Sequence, residues 1–240
     1  GGSPISLAGS RLAVDDLFGK VTPADIDIRA DGTVPSALAL IDEPPLGFVG
    51  KLGLDARGVA GEAAIRARLE FPLLQDLTLE QIRVRAEAGL ADVALSLPLA
   101  GAPRQVRAER LDLVATVEEM ELTGPARLDG TPLDVRWREI YGGPGEGREI
   151  AVSGPVTPEL LAAEGAELPA FRAGRVPVRV TVEDGSGGTT FALDADLGPA
   201  ALGVDLLRWE KTAGAAGRLE ARGRLGADGA VEIDRVDLTA

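Results

Sequence analysis

Asp194 and Asp196 stand two residues apart in the stretch FALDADL, a spacing that puts both carboxylates on one side of an extended chain. Paired carboxylates are the working groups of glycoside hydrolysis, one as acid and the other as base or nucleophile across the sugar. Asp15–Asp16 and Glu118–Glu119 offer the same chemistry, with Asp112 and Asp134 as further candidates of the right type. A sugar site usually adds aromatic platforms, and aromatics make up only 3% of this chain. Phe191, Leu193, Ala195 and Leu197 surround the two aspartates at period two, so the plainer reading is a strand whose polar face carries them. No enzyme is expected.

The other motifs lead the same way. The glycine cluster YGGPGEGRE (141–149) invites a phosphate-loop reading, but it lacks the G-x-x-x-x-G-K-[ST] order, carries two acids and opens no helix. It reads as a loop. Asp-Gly pairs at Asp31, Asp129, Asp184 and Asp228 read as tight turns, since a calcium loop needs a denser run of acids. Trp137 in VRWRE and Trp209 in LRWEK read as strand-edge covers rather than ligand contacts. The chain has no His and no Cys, which removes the usual zinc sites, the serine and cysteine triads and disulfides. Neither cofactor nor metal is expected. A net charge of −13, from 25 basic and 38 acidic residues, excludes nucleic acid and anionic membrane surfaces as electrostatic partners. Lysines number three against 22 arginines, which reads as coding bias.

The elements that must position these residues are mostly strands. Alternation of apolar and polar residues runs through ADIDIRA (24–30), AIRARLEF (64–71), QIRVRAEA (81–88), VPVRVTVED (176–184), TFALDADL (190–197) and GRLEARGRL (217–225). This is the pattern of half-exposed antiparallel strands. With 45% hydrophobic residues but few rings, the apolar side is built of Ala, Val and Leu and suits a thin layer or a smooth surface. Two short helices are predicted, TVPSALALID (33–42) and VTPELLAAEG (156–165), the second with Thr157 as N-cap, Pro158 at the first position and Gly165 as terminator. PLLQDLTLEQ (72–81) could add a third. No apolar run approaches the ~20 residues of a membrane helix and no signal peptide is evident. The abrupt start at GGSPISLAG and the strand-like end read as a fragment of a longer protein.

A weak duplication organises the chain. VRAEAGLADV (84–93) matches LDADLGPAAL (193–202), RLD at Arg110 matches RLE at Arg218, and Gly32, Pro35 and Leu38 echo Gly154, Pro158 and Leu160. Repeats of this kind stack and share an apolar surface. The expected division is 1–140 and 141–240, two units of one continuous elongated sheet. Its apolar face cannot stay wet, because each CH₂ withdrawn from water is worth roughly 0.8 kcal/mol. Either an apolar ligand covers it or a second layer does, the latter as a closed β-sandwich.

Four stretches carry a resemblance: LIDEPPLGFVGKLGLD (40–55), FPLLQDLTLEQIRVRAEAGLADVALSLPLAG (71–101), LTGPARLDGTPLDVRWRE (122–139) and LDADLGPAALGVDLLRWEK (193–211). They resemble the AsmA-like superfamily, in particular its YhdP-type alphaproteobacterial members. The resemblance implies a mainly β fold, an elongated curved antiparallel sheet (a repeating β-groove) with two or three short helices. It implies a periplasmic segment of a cell-envelope protein anchored in the inner membrane, whose groove serves phospholipid transport between inner and outer membranes and outer membrane biogenesis. The expected partners are phospholipid acyl chains and adjoining segments of the same full-length protein. The strand faces expected to line the groove carry Val84, Ala86 and Ala88 in the first unit. In the second they carry Val178, Val180, Val182, Phe191, Leu193, Ala195 and Leu197. The alternative is a closed β-sandwich or solenoid serving as an interaction or spacer module of the envelope.

If the Asp-Gly pairs are turns, thermal melting in EDTA and in millimolar calcium should agree closely; a calcium-dependent rise of several degrees would restore the ion-binding reading.

Overall fold

The computed structural model describes residues 5–14, 23–42, 58–74, 76, 81–99, 102–143, 145–163, 165–166, 168–226 and 230–239. The fold is mainly β. Twelve strands form one antiparallel sheet in the order β1-β2-β3-β4-β5-β6-β7-β8-β10-β11-β14-β15, and three more form a small sheet in the order β13-β12-β9. No pairing among the described residues joins the two ends of the long order, so the sheet is open rather than a barrel. Among the described residues two α-helices accompany it, α1 (Val34–Asp42) and α2 (Pro158–Ala163), where the sequence leads one to expect them. Half of the stretch proposed as a third helix (72–81) lies outside the described residues, and its first residue, Pro72, ends β3. The chain divides into two compact units, one of residues 1–131 with 137–144, the other of residues 132–136 with 145–240.

The first unit holds β1 (Arg11–Val14), β2 (Pro23–Thr33), β3 (Val59–Pro72), β4 (Arg83–Leu99), β5 (Ala102–Thr116) and β6 (Glu119–Leu128). Thr33 ends β2 and caps α1: its Oγ1 accepts the Ser36 amide at 3.3 Å. The β5–β6 turn is closed by Thr116, whose Oγ1 accepts the amides of Glu118 and Glu119 at 3.1 and 3.2 Å. After Leu128 the chain reverses in two residues, Asp129 and Gly130, both at positive φ (48° and 91°), into β7 (Thr131–Ile140). That is the mirror-image turn which suits the twist of paired strands, and Asp-Gly is its commonest signature.

In the second unit β8 (Gly147–Val156) leads into α2, and Thr157 caps it by accepting the Leu160 amide at 3.3 Å. Gly165 (φ 74°) closes the helix, with the Ala166 amide reaching the Leu161 carbonyl at 2.8 Å. The chain continues through β9 (Phe171–Gly174), β10 (Val176–Gly185), β11 (Gly188–Asp196), β12 (Ala200–Val204), a 3₁₀ turn (Asp205–Leu207), β13 (Trp209–Lys211), β14 (Arg218–Leu225) and β15 (Val231–Thr239). A strand followed by a Thr-capped helix therefore occurs in both units, as β2-α1 and as β8-α2, but in the second unit β9 of the small sheet comes between the helix and β10.

The residue-level duplication fares differently. Val84–Val93 lies within one long strand, β4, whereas its supposed counterpart leaves β11 at Asp196, turns at Gly198–Pro199 and enters β12 of the other sheet. Gly198–Pro199 is a turn signal that Gly89–Leu90 does not share. The Asp-Gly pairs also separate. Asp129–Gly130 is a turn, but Asp31 and Gly32 sit inside β2 opposite Ala64 and Ala63. Asp184 and Gly185 end β10, with the two-residue turn displaced to Ser186 and Gly187, and Asp228 lies outside the described residues.

The Asp129 carboxylate accepts the Gln105 amide at 2.9 Å and faces Arg104 at 3.0 Å, and these contacts hold it below the ordinary carboxylate range. A depressed folded pKa stabilises above the unfolded value of about 3.9 and is lost as pH falls through it. The melting temperature should therefore fall as the pH drops below about 4, and Asp129→Asn should flatten that acid slope by lowering the melting temperature at pH 7 while leaving it nearly unchanged in acid. An unchanged slope would show that this turn carries none of the acid sensitivity.

Candidate functional site

The strand registers place apolar side chains in rows across each unit. In the first, Ile28, Ala67, Ala86, Ala115 and Met120 are successive cross-strand partners, and so are Ala30, Ile65, Ala88, Leu113 and Leu122. A β-bulge at Gly61 (φ 134°), opposite Asp92 (φ 51°), shifts the alternation by one residue. Beyond it Val59, Leu95, Val106 and Leu128 continue the same face. The slip is visible in LADVAL, where Ala91 and Asp92 interrupt the period of two. Val84, Ala86 and Ala88 are all half-buried, between the exposed Arg83, Arg85 and Glu87.

In the second unit one row runs Ile150, Val182, Phe191, Gly223 and Ile233, and the next Val152, Val180, Leu193, Ala221 and Val236. Gly223 is required where it stands, since a Cβ there would strike the Phe191 ring and the Glu232 carbonyl. These rows are half-buried from β8 to β11 and exposed on β15. A third row, Gly154, Val178, Ala195 and Leu219, is closed by the protein itself. Phe171 of β9, Ala200 and Leu202 of β12 and Leu161 of α2 pack with Val176, Ala195 and Leu197 into one buried cluster.

The ten residues expected to line a groove therefore separate. Ala195 and Leu197 are 2% and 6% exposed and are core, because the small sheet that covers them has no periodicity of its own in the sequence. Val178 and Leu193 pack against that core. Val180, Val182 and Phe191, with Val84, Ala86 and Ala88, remain on half-buried rows.

The cover is fastened by Lys211, which sequence reading passed over. It is 5% exposed, and its ammonium donates to the carbonyls of Leu197 at 2.7 Å, Ala200 at 3.1 Å, and Gly198 and Thr212 at 3.4 Å. A compact ammonium with rotatable donors fits a ring of carbonyls, which a planar guanidinium does not. Gly217 leaves room for it: a Cβ there would come within 2.9 Å of the lysine Cε. The available signal was one of only three lysines in a chain with 22 arginines.

The opposite face is charged. Among the described residues an arginine pairs with an acid two residues on at Arg68–Glu70, Arg85–Glu87, Arg110–Asp112, Arg218–Glu220 and Arg235–Asp237. Residues i and i+2 share a strand face, so each R-x-acid triplet makes its own ion pair, with an apolar residue between them on the other face. RLD and RLE are thus a recurring rung and not a mark of duplication. The candidate carboxylate pair is occupied in the same way. Asp194 is ion-paired with Arg218 across the strands, while Asp196 Oδ1 accepts the Gly198 amide at 2.9 Å. Glu119 pairs with Arg138 at 2.5 Å and Asp112 with Arg110 at 2.9 Å. Asp134 is exposed on β7, and Asp15–Asp16 lie outside the described residues. Among the described residues no group of three or more acidic side chains is placed to hold a metal.

Trp137 is half-buried and donates to Glu139 at 2.9 Å, but it stands on β7, between β6 and β8, and so not at a sheet edge. Trp209 does occupy an edge strand, β13 of the small sheet. The 141–149 cluster joins β7 to β8, with Gly142, Gly143 and Gly145 at positive φ.

Comparison with protein-family models, with curated proteins and with solved structures returned no match.

Lys211→Met should destabilise the second unit by about 2–3 kcal/mol, since it leaves buried carbonyls without a charged donor. Lys211→Arg should not restore the loss. Denaturant unfolding measures both, and a wild-type midpoint for Lys211→Met would remove the fastening role.

Proposed function

We propose that this chain is a segment of a periplasmic, AsmA-like cell-envelope protein whose apolar sheet face carries phospholipid acyl chains between the inner and outer membranes. The full-length protein is anchored in the inner membrane, and adjoining segments extend the same face. The observation that carries the reading is the state of the apolar rows. They cross five strands in register, and although Ala30 and Met120 on them are buried, Ile28, Ile65, Leu113 and Leu122 are only half-buried. A core would bury its leucines and isoleucines, whereas a surface for acyl chains leaves them half-covered until the ligand arrives. Ala and Val at alternate positions give a smooth floor. Each acyl CH₂ withdrawn from water there contributes about 0.8 kcal/mol. The charged rungs on the other side keep that face solvated while the apolar one is occupied. The similarity to the AsmA-like superfamily points in the same direction.

One observation favours a second reading. The small sheet over Ala195 and Leu197 is a local two-layer packing, the beginning of a closed sandwich that would serve as a spacer or interaction module.

Lipid extracted from purified protein separates the two. Phospholipid is expected in the wild type, and Val182→Glu should lower it several-fold while costing about 1 kcal/mol of stability, because a half-buried carboxylate can still reach water. Leu193→Glu, packed against the buried cluster, should cost several kcal/mol. Glu183→Gln, on the charged face beside Val182, should change neither quantity. Protein free of phospholipid after gentle purification, with Val182→Glu as damaging as Leu193→Glu, would establish the closed module instead.

A further inference from the structure

The open rows of the second unit have two different borders. On one side the small sheet closes over the row of Gly154, Val178 and Ala195. On the other, one period beyond Ile150, Val182 and Phe191, the registers set Arg148, Asp184 and Thr189 in line on the same face. Every other position on that face of β10 is a valine: Val176, Val178, Val180 and Val182. Arg148 is half-buried and Asp184 exposed, and Thr189 donates from Oγ1 to Asp184 Oδ1 at 3.0 Å, which orients the carboxylate.

These charges differ from the rungs of the charged face. A rung joins residues i and i+2 of one strand on the solvated side. Arg148 and Asp184 are cross-strand partners on the apolar side, at the limit of the valine rows. The first unit borders its rows in the same way. One period beyond Leu95 and Val106 come Leu97 and Arg104, and the half-buried Arg104 lies 3.0 Å from Asp129. A border that only kept the face soluble would need no set composition. Both borders instead bring one guanidinium and one carboxylate to the end of an apolar floor.

We propose that these borders hold the head group of a zwitterionic phospholipid, the arginine taking its phosphate and the aspartate its ammonium, while the acyl chains lie over the apolar rows. The inference rests on the acyl-chain reading above and adds which lipid is held and how it is oriented. A guanidinium presents paired N–H donors that match two phosphate oxygens, and a carboxylate accepts from an ammonium. Beside an apolar floor such charge-assisted bonds are less weakened by water than on an open surface. Along β10 the border stands roughly 20 Å from the closed row, at about 3.4 Å per residue, so acyl chains have room to lie along the strands. Movement along the rows then carries a lipid from strand to strand with its head group kept at the wet border.

Titration of the full chain, stripped of lipid, with soluble dihexanoyl lipids below their micelle concentrations tests this. Dihexanoylphosphatidylethanolamine should bind several-fold more tightly than dihexanoylphosphatidylglycerol, which keeps the phosphate and lacks the ammonium. Dihexanoylglycerol, which has neither, should bind more weakly still. Asp129→Asn/Asp184→Asn should erase the first preference and Arg104→Gln/Arg148→Gln the second, whereas Arg104→Lys/Arg148→Lys should keep part of it through the retained charge. The single variants Asp184→Asn and Arg148→Gln, which leave the Asp129 turn intact, should each remove the corresponding preference from half of the sites. Free phosphoethanolamine at matching concentration should not compete, because a head group alone gains nothing from the apolar rows. Equal binding of all three lipids, or preferences unchanged in the variants, would overturn the inference and leave the acyl-chain reading standing. Competition by phosphoethanolamine as strong as by the lipid would mark a site for free phosphate and overturn it as well. Binding of none of the three lipids would overturn both readings.

Discussion

An antiparallel sheet satisfies its own backbone hydrogen bonds, and what it leaves unfinished is its apolar face. In this chain the problem is large, because twelve strands share one sheet while the helices among the described residues are α1 and the six-residue α2. Every other feature can be referred to how that face is treated from place to place. At one end of the second unit the chain covers it with its own residues. Over the remaining rows most of the Val, Ala, Leu and Ile side chains are half-buried, with Ala30, Val93, Leu111 and Met120 buried among them. On β15 the same face is bare.

The covered end shows what closure requires. Two strands, β12 and β13, leave the main order after β11 and return before β14 to join β9, which precedes β10, and the detour needs a tight turn at Gly198–Pro199 together with a return loop. The carbonyls of that turn point inward, where water would otherwise have to satisfy them. Lys211 does so with one charged group, and Gly217 yields the space for its stem. Arg172 fastens the far side, reaching Asp205 and, at 3.0 Å, Glu210. Closure is local and needs several special residues. The open rows need none beyond alternation.

The charged face is regular and cheap to build. Ion pairs as exposed as Arg85–Glu87 are screened by water and add little to stability, so these rungs are not what holds the sheet together. They order the polar side chains and keep one face in water. They also account for the carboxylates that resemble catalytic pairs: Asp194 and Asp112 each have an arginine, and Asp196 has a backbone amide.

Alternation along the strands was enough to determine the mainly β class, the side of each strand on which the apolar residues stand, and the identity of both helices. Each of these rests on neighbours within a few residues. Thr33 and Thr157 cap, Gly165 terminates, and i and i+2 share a face wherever the chain lies in a strand. What depends on distant contact was not legible. The pattern around Ala195 and Leu197 is the same as that around Ala86 and Ala88, yet the first pair is buried and the second half-open. The difference is made by β9 and β12, short strands without a periodicity of their own, which arrive from elsewhere in the chain. The matched decapeptides part for a similar reason, a Gly-Pro turn in one and a continuing strand in the other. Lys211 acquires its role only when four carbonyls converge on it. A period of two records which way a side chain points; what lies over it is decided by the chain that folds back.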